Sequence, residues 1–96
     1  MKAIVMHGPG LADELFYEDV PKPVPGEGRV LVRIHAASVN QIDWKRVSGM
    51  AGGALVPEFP WVPGMDFAGT VEAVGEGVER FVAGDMVFGC SDGGTY

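Results

Sequence analysis

One cysteine, Cys90, is all the thiol chemistry that this 96-residue chain possesses, so no internal disulfide and no multi-cysteine zinc site can form. That fits a reducing compartment. Basic residues are scarce as well: 7 Lys and Arg stand against 13 Asp and Glu, a formal net charge of -6. No basic stripe is left for phosphate backbones, which argues against nucleic acid as a partner, and the same charge disfavours anionic membrane surfaces. Long apolar runs are missing too. Nothing approaches the ~20 residues that a bilayer crossing needs. In the opening MKAIVMHGPG, one Lys and a short apolar stretch broken by Gly-Pro-Gly do not make a secretory signal. A cytoplasmic chain is expected. The two histidines, His7 and His35, have no Cys or carboxylate at ligand spacing, so each is read as a solvated strand or loop residue and not as a metal ligand.

What is abundant is glycine and proline, 15 and 7 residues. At this length they favour short strands joined by tight turns over long helices. Hydrophobic residues at 47% and charged residues at 21% describe one ordinary globular domain. Its core is modest, burying roughly two thirds of the surface of the unfolded chain. Strands are predicted over residues 2–7 and 15–20. PKPVPGEG then runs extended between the second and third strands, held by its prolines. The clearest strand follows at 29–39, where Val30, Val32, Ile34 and Ala36 share one face and Arg33 and His35 the other. Residues 48–64 carry so much Gly and Pro that little regular structure is expected there, and loops of that length are usually functional or mobile. Alternation resumes at 66–74, with Gly69 in the row of Phe67, Val71 and Ala73, where a missing side chain lets another backbone come close. A last strand is expected around Met86 to Phe88.

Polar chemistry gathers in SVNQIDWK, residues 38–45, just after the third strand. One reading is structural: Asn40 followed three residues later by Asp43 resembles a capping box and opens a helix, for roughly 1 kcal/mol of local stability. The other is functional, since a strand end held by a rigid sheet presents polar groups well to a ligand. The two are compatible. GEGVER, residues 75–80, begins like a nucleotide-binding turn, but Arg80 stands at the third glycine position and no helix opens behind it. Cys90 has no histidine partner in view and reads as an inert or exposed thiol. Trp44 and Trp61 read as core or loop anchors ahead of ligand platforms.

Three blocks, PKPVPGEGRVLVRIHAASVNQIDWK, PWVPGMDFAGTVEAVGEGV and RFVAGDMVFG, together resemble the catalytic, GroES-like domain of medium-chain dehydrogenases/reductases, over almost the whole chain. The resemblance implies a mainly β fold, a partly open β-barrel with short helical turns and a long Gly/Pro-rich loop, filling residues 1–96 as one domain. Zinc-dependent members of that family carry a Cys ligand where this chain has Asn40 and a His ligand where it has Met65. With both replaced, and no four-cysteine lobe, the resemblance points to the zinc-free branch of NADPH-dependent quinone and enone reductases. It implies Lys45 near the nicotinamide ribose and the reacting carbonyl, Asn40 at cofactor or substrate, and Trp44, Met65 and Asp66 as cleft candidates. Asp66 matches an acidic position that lies behind the metal ligands in the zinc enzymes. A solvated surface lysine is the competing reading of Lys45.

The family binds its cofactor on a Rossmann domain with a Gly-rich turn, which these residues do not contain, so the chain reads as an inactive fragment of a larger reductase. Its expected partners are a small quinone, enone or aldehyde, and further copies of itself through open strand edges. Two alternatives remain: a zinc-free alcohol or aldehyde reductase of the same family, and a ring-forming co-chaperonin. The co-chaperonin shares the GxVxAVGxG turn and GDxVxF strand but matches neither SVNQIDWK nor PWVPGMDFAG; GGALV at 52–56 faintly resembles its mobile loop.

Overall fold

Ala3 and Val5, two residues apart, both turn inward and are 3% exposed, the period of a strand with one covered face. They belong to β1 (Lys2–Val5), which pairs antiparallel with β2 (Phe16–Asp19) from Lys2↔Asp19 to Val5↔Phe16. A turn of 3-10 helix over Ala12–Glu14 lies between them. This is a computed structural model of the chain and describes residues 1–48 and 57–96. The GGALV stretch, with the rest of residues 49–56 of the expected Gly/Pro-rich loop, lies outside the described residues.

A second antiparallel sheet, ordered β3-β4-β5, is built from β3 (Val30–Ala37), β4 (Asp66–Val74) and β5 (Met86–Cys90). The fold is thus mainly β, with open sheets in place of a closed barrel. β4 runs through the middle, and Gly69 is why it can: a side chain there would collide with the carbonyl of Arg33 on β3. GEG at 75–77 is a turn, in which Gly77 takes a φ of 83° and Glu76 accepts a backbone bond from Gly28 at 2.8 Å.

The expected half-buried face of β3 is only half realised. Val30 and Val32 are half-buried, but Ile34 and Ala36 are exposed. Register shifts between Leu31 and Val32 and between Ile34 and Ala36 break the strict two-residue period, and His35 is the residue left without a partner on β4. Arg33, Ile34, His35, Ala36 and Ala37 all stay exposed among the described residues.

Residues 61–64 and 93–96 lace the parts together. Met6 and Trp61 exchange two backbone bonds at 2.8 and 2.9 Å, Tyr96 N–H donates to the carbonyl of Pro63 at 3.1 Å, and Ile4 N–H donates to the carbonyl of Tyr96 at 3.1 Å. Met6, Pro63, Val71 and Val47 are buried around these strands. The single α-helix of the described residues, α1 (Gln41–Val47), buries Asp43, Arg46 and Val47, the i, i+3, i+4 stripe of one helical face.

Gly69→Ala is expected to lower the unfolding free energy by at least about 1–3 kcal/mol, the usual cost of forcing atoms into a filled space. Chemical denaturation measures it, and an unchanged midpoint contradicts the close approach of β3 and β4.

Candidate functional site

β3 ends at Ala37, and the chain turns through Ser38 and Val39 into the cap of α1. Asn40 has extended backbone angles, φ -122° and ψ 164°, and forms the expected capping box with Asp43. In it, Asn40 N–H donates to Asp43 Oδ2 at 2.7 Å. The sequence therefore carried the local structure correctly, with Asp where Glu or Gln is usual.

The Asn40 side chain also bonds beyond the cap. Its Nδ2 donates to Asp66 Oδ2 at 2.7 Å and to Ser38 Oγ at 3.2 Å, while Ser38 Oγ donates to the same Asp66 oxygen at 2.9 Å. Asp66 opens β4, so the bonds join the end of β3 to the start of its neighbour. The hydrogen bonds from Ser38 and then Asn40 hold the Asp66 carboxyl below its ordinary value, which keeps it anionic at neutral pH. Cys90 stands opposite Asp66 on β5. Loss of water around its sulfur, and then the Asp66 charge, push the thiol up, so it is a poor nucleophile.

Lys45 does not join this cluster. It is half-buried on the other side of α1, with its Nζ 5.7 Å from the centre of the Trp44 ring, and among the described residues it makes no ion pair. Trp44, 46% exposed, lines an apolar hollow of about 200 Å³ with Leu11, Leu15, Val39, Val47 and Pro63; Asp43 and Tyr96 stand at the same hollow. Met65 lies beside Asp66, half-buried, and its carbonyl accepts the Ser91 N–H at 2.8 Å. The structure thus brings Asn40 and Asp66 together and sets Trp44 and Lys45 apart from them.

Three residues escaped the sequence. Tyr96 O–H reaches Asp43 Oδ2 at 3.0 Å and the Ser38 carbonyl at 3.1 Å. Burial first, and then Asp43, push this phenol up to about 12. Arg46, 6% exposed, holds Asp92 at 2.7 Å and stacks over the Trp61 ring at 4.8 Å, so Trp61 is an anchor. Asp43 itself was visible only as a cap; at 3% exposure it is a buried carboxylate, and its Oδ1 has no partner among the described residues. His7 and His35 are exposed, bonded to Glu18 at 2.8 Å and Thr70 at 3.0 Å, and no group of three His, Cys, Asp or Glu among the described residues is placed to hold a metal.

The alcohol dehydrogenase GroES-like domain family matches residues 26–95. The chloroplastic quinone-oxidoreductase QR1 of Triphysaria versicolor is 42% identical over 88 residues, covering 91% of this chain and 27% of the relative. A quinone oxidoreductase of Escherichia coli solved with NADPH superposes at a TM-score of 0.82 and 31% identity, over 92% of this chain and 26% of that one. A thermostable alcohol dehydrogenase of Pyrobaculum aerophilum, solved with cobalt and zinc, superposes at 0.81 and 38% identity, over 92% of this chain and 25% of that one. The chain spans about a quarter of the length of such relatives.

The phenol gives the site a pH signature. Because the folded chain keeps the Tyr96 proton above the ordinary value of 10, its contribution to stability is complete below pH 10 and is lost as pH rises through about 12. Denaturation midpoints across that window are expected to fall, and Tyr96→Phe to lack that part of the fall; an identical alkaline profile in the variant refutes the assignment.

Proposed function

The chain belongs to the family of alcohol dehydrogenase GroES-like domains, and we propose that it is the N-terminal, substrate-facing part of a zinc-independent quinone or enone reductase that uses NADPH. Turnover belongs to the full-length protein, and the 96 residues alone are inactive on this reading. The observation that carries it is Asn40: at a position where zinc members of the family hold a thiolate, this chain has an amide whose two N–H groups go to Asp66 and Ser38. With the thioether of Met65 at the second position, these donors do not suit zinc, which takes thiolate, imidazole or carboxylate. No step is assigned to a metal.

NADPH, when bound, supplies the hydride. Lys45 suits a role beside it, since its ammonium has no carboxylate partner among the described residues. Adding hydride to an enone or quinone builds negative charge on the carbonyl oxygen. An ammonium about 4 Å away stabilises that charge by up to ~4 kcal/mol at an effective dielectric near 20. That is on the order of a thousandfold in rate. Asn40, with both N–H groups engaged and its side-chain oxygen accepting the Asp43 N–H in the capping box, has one lone pair left on that oxygen as an acceptor toward cofactor or substrate.

Likeness to the Pyrobaculum alcohol dehydrogenase favours one second reading, an alcohol or aldehyde reductase built on the same residues, whose freedom from zinc rests on Asn40 and Met65 and not on that metal-bound relative. A substrate panel separates the two. The co-chaperonin reading finds no such relative among those described above. No described helix is long and apolar enough to cross a membrane. Cytoplasmic placement is part of the proposal; the Triphysaria relative is chloroplastic, and fractionation of the full-length protein decides the point.

In the full-length protein, Lys45→Ala is expected to lower kcat/KM for a quinone or enone roughly ten- to a thousandfold with little change in stability, in preparations holding less than one zinc per chain. Unchanged kinetics identify Lys45 as a solvated lysine, and stoichiometric zinc overturns the metal-free reading. Self-association of the 96-residue chain is the second expectation: β5 is the last strand of its sheet, and Met86 and Phe88 on it are each 87% exposed. Phe88→Lys is expected to shift the chain toward monomer in sedimentation, and a wild-type chain that stays monomeric at millimolar concentration counts against it.

A further inference from the structure

Tyr96 is far from Asn40 in sequence, yet its hydroxyl touches the chain on both sides of that residue. It lies 3.1 Å from the carbonyl of Ser38, two residues before, and 3.0 Å from the carboxylate of Asp43, three residues after. A phenol has one proton, so the two acceptors share it. The ring has room because Gly64, at φ 91°, has no side chain; a Cβ there would overlap both Thr95 and the Tyr96 ring. The backbone bond from Tyr96 N–H to Pro63 and the one that its carbonyl accepts from Ile4 set the ring's position against β1.

We propose that Tyr96 is a positioning residue of the Asn40–Asp66 site: acting through Asp43 and the Ser38 carbonyl, its hydroxyl holds residues 38–43 in the one arrangement that aims the Asn40 amide at Asp66. Calling this pair a site rests on the reductase reading, but the hydrogen-bond device stands on geometry alone. Asp43 Oδ2 accepts from two donors, Asn40 N–H and Tyr96 O–H, while its Oδ1 is buried without a partner among the described residues. Removing the phenol leaves a buried carboxylate with a single donor. Such a group reorients or takes up a proton, and either event loosens the cap whose first residue is Asn40. Ser38 moves with it, since the Tyr96 hydroxyl also holds its carbonyl. Asp66 then loses the two side chains that do most to keep it acidic, Ser38 and Asn40, and retains the weaker hydrogen bond of Cys90. Among the described residues, the ionisable groups seen to interact with Asp66 are Cys90 from β5 and Tyr96 itself, and the variant removes no positive charge from its surroundings.

Asn40 is the only asparagine in the chain, which makes the test direct. The full chain, labelled with nitrogen-15 asparagine, gives the Asn40 side-chain N–H signals by NMR, and carboxyl-carbon NMR follows Asp66. In Tyr96→Phe the Asn40 side-chain N–H signals are expected to shift and to exchange with solvent about tenfold faster, on the scale of one lost hydrogen bond. The Asp66 titration is expected to rise toward the ordinary 3.8. Val71→Ala, a core truncation of a residue 1% exposed, is the control for simple destabilisation and is expected to leave both readouts in place. Unmoved Asn40 and Asp66 signals in Tyr96→Phe, or equal movement in Val71→Ala, overturn the proposal. Should Tyr96→Phe not fold, Asp43→Asn retains an acceptor oxygen for both donors and adds one labelled asparagine, whose new pair of signals is told apart by comparison with wild type; it is expected to keep the Asn40 signals, and their loss in a folded chain overturns it too. None of these readouts involves turnover, so an inert Lys45→Ala refutes the reductase role of Lys45 and leaves this test intact.

Discussion

A carboxylate removed from water has to be given donors by the protein, and in this chain that requirement falls on Asp43. Its Oδ2 joins the cap of α1 to Tyr96, whose hydroxyl also reaches the Ser38 carbonyl just past β3. Most of the hydrogen bonds around the candidate site then follow. The cap sets Asn40, Asn40 reaches Asp66, and Asp66 ties β3 to the first residue of β4. Behind the same helix, Arg46 is a buried cation whose counterion, Asp92, is 88% exposed. One face of a seven-residue helix thus buries both signs of charge, Arg46 anchored to Asp92 and Asp43 to Tyr96. A helix this short has little stability of its own, and its order comes from these tertiary bonds.

What could be read in advance was what local rules govern. The bounds of β4 follow from alternation, the tight approach at Gly69 from its place in that row, and α1 from the spacing of Asn40 and Asp43. The misjudged face of β3 has a local cause that the alphabet hides, because a bulge at His35 leaves the residue pattern intact while changing which side each residue faces. Tyr96 was out of reach for a different reason. Its partner lies 53 positions away, and no periodicity links a terminal tyrosine to a helix cap. Arg46 was hidden likewise, since a helical arginine beside a lysine looks solvated until a tryptophan and an aspartate from other segments enclose it. The family likeness marked the positions of Asn40, Met65 and Asp66, but not that the amide in the metal-ligand position bonds the carboxylate behind it.

Polarity is unevenly spread over the molecule. The buried apolar residues cluster near β1, α1 and the Pro63 segment, whereas much of β3 and β5 is open, with Ile34, Met86 and Phe88 toward solvent. His35, Ala68, Gly69, Met86, Val87 and Phe88 line a shallow apolar depression on that sheet, of about 260 Å³. Asn40 and Ser38 are themselves exposed, and Asp66 opens the middle strand of this same sheet, so the site residues stand at the border between the packed and the open parts.

The distance between Tyr96 and its acceptors also sets an order of events during synthesis. At ~5–20 residues per second, a ribosome that has released Asp43 needs on the order of 3–10 seconds to deliver a tyrosine 53 positions later. Through that interval β3 can await only its partner strand, while the helix cap has neither its phenol nor the Arg46 counterion at position 92. Vectorial growth of the chain thus closes this polar cluster after both sheets have had time to pair, and the nascent domain spends its exposed seconds with strands formed and these hydrogen bonds still unmade.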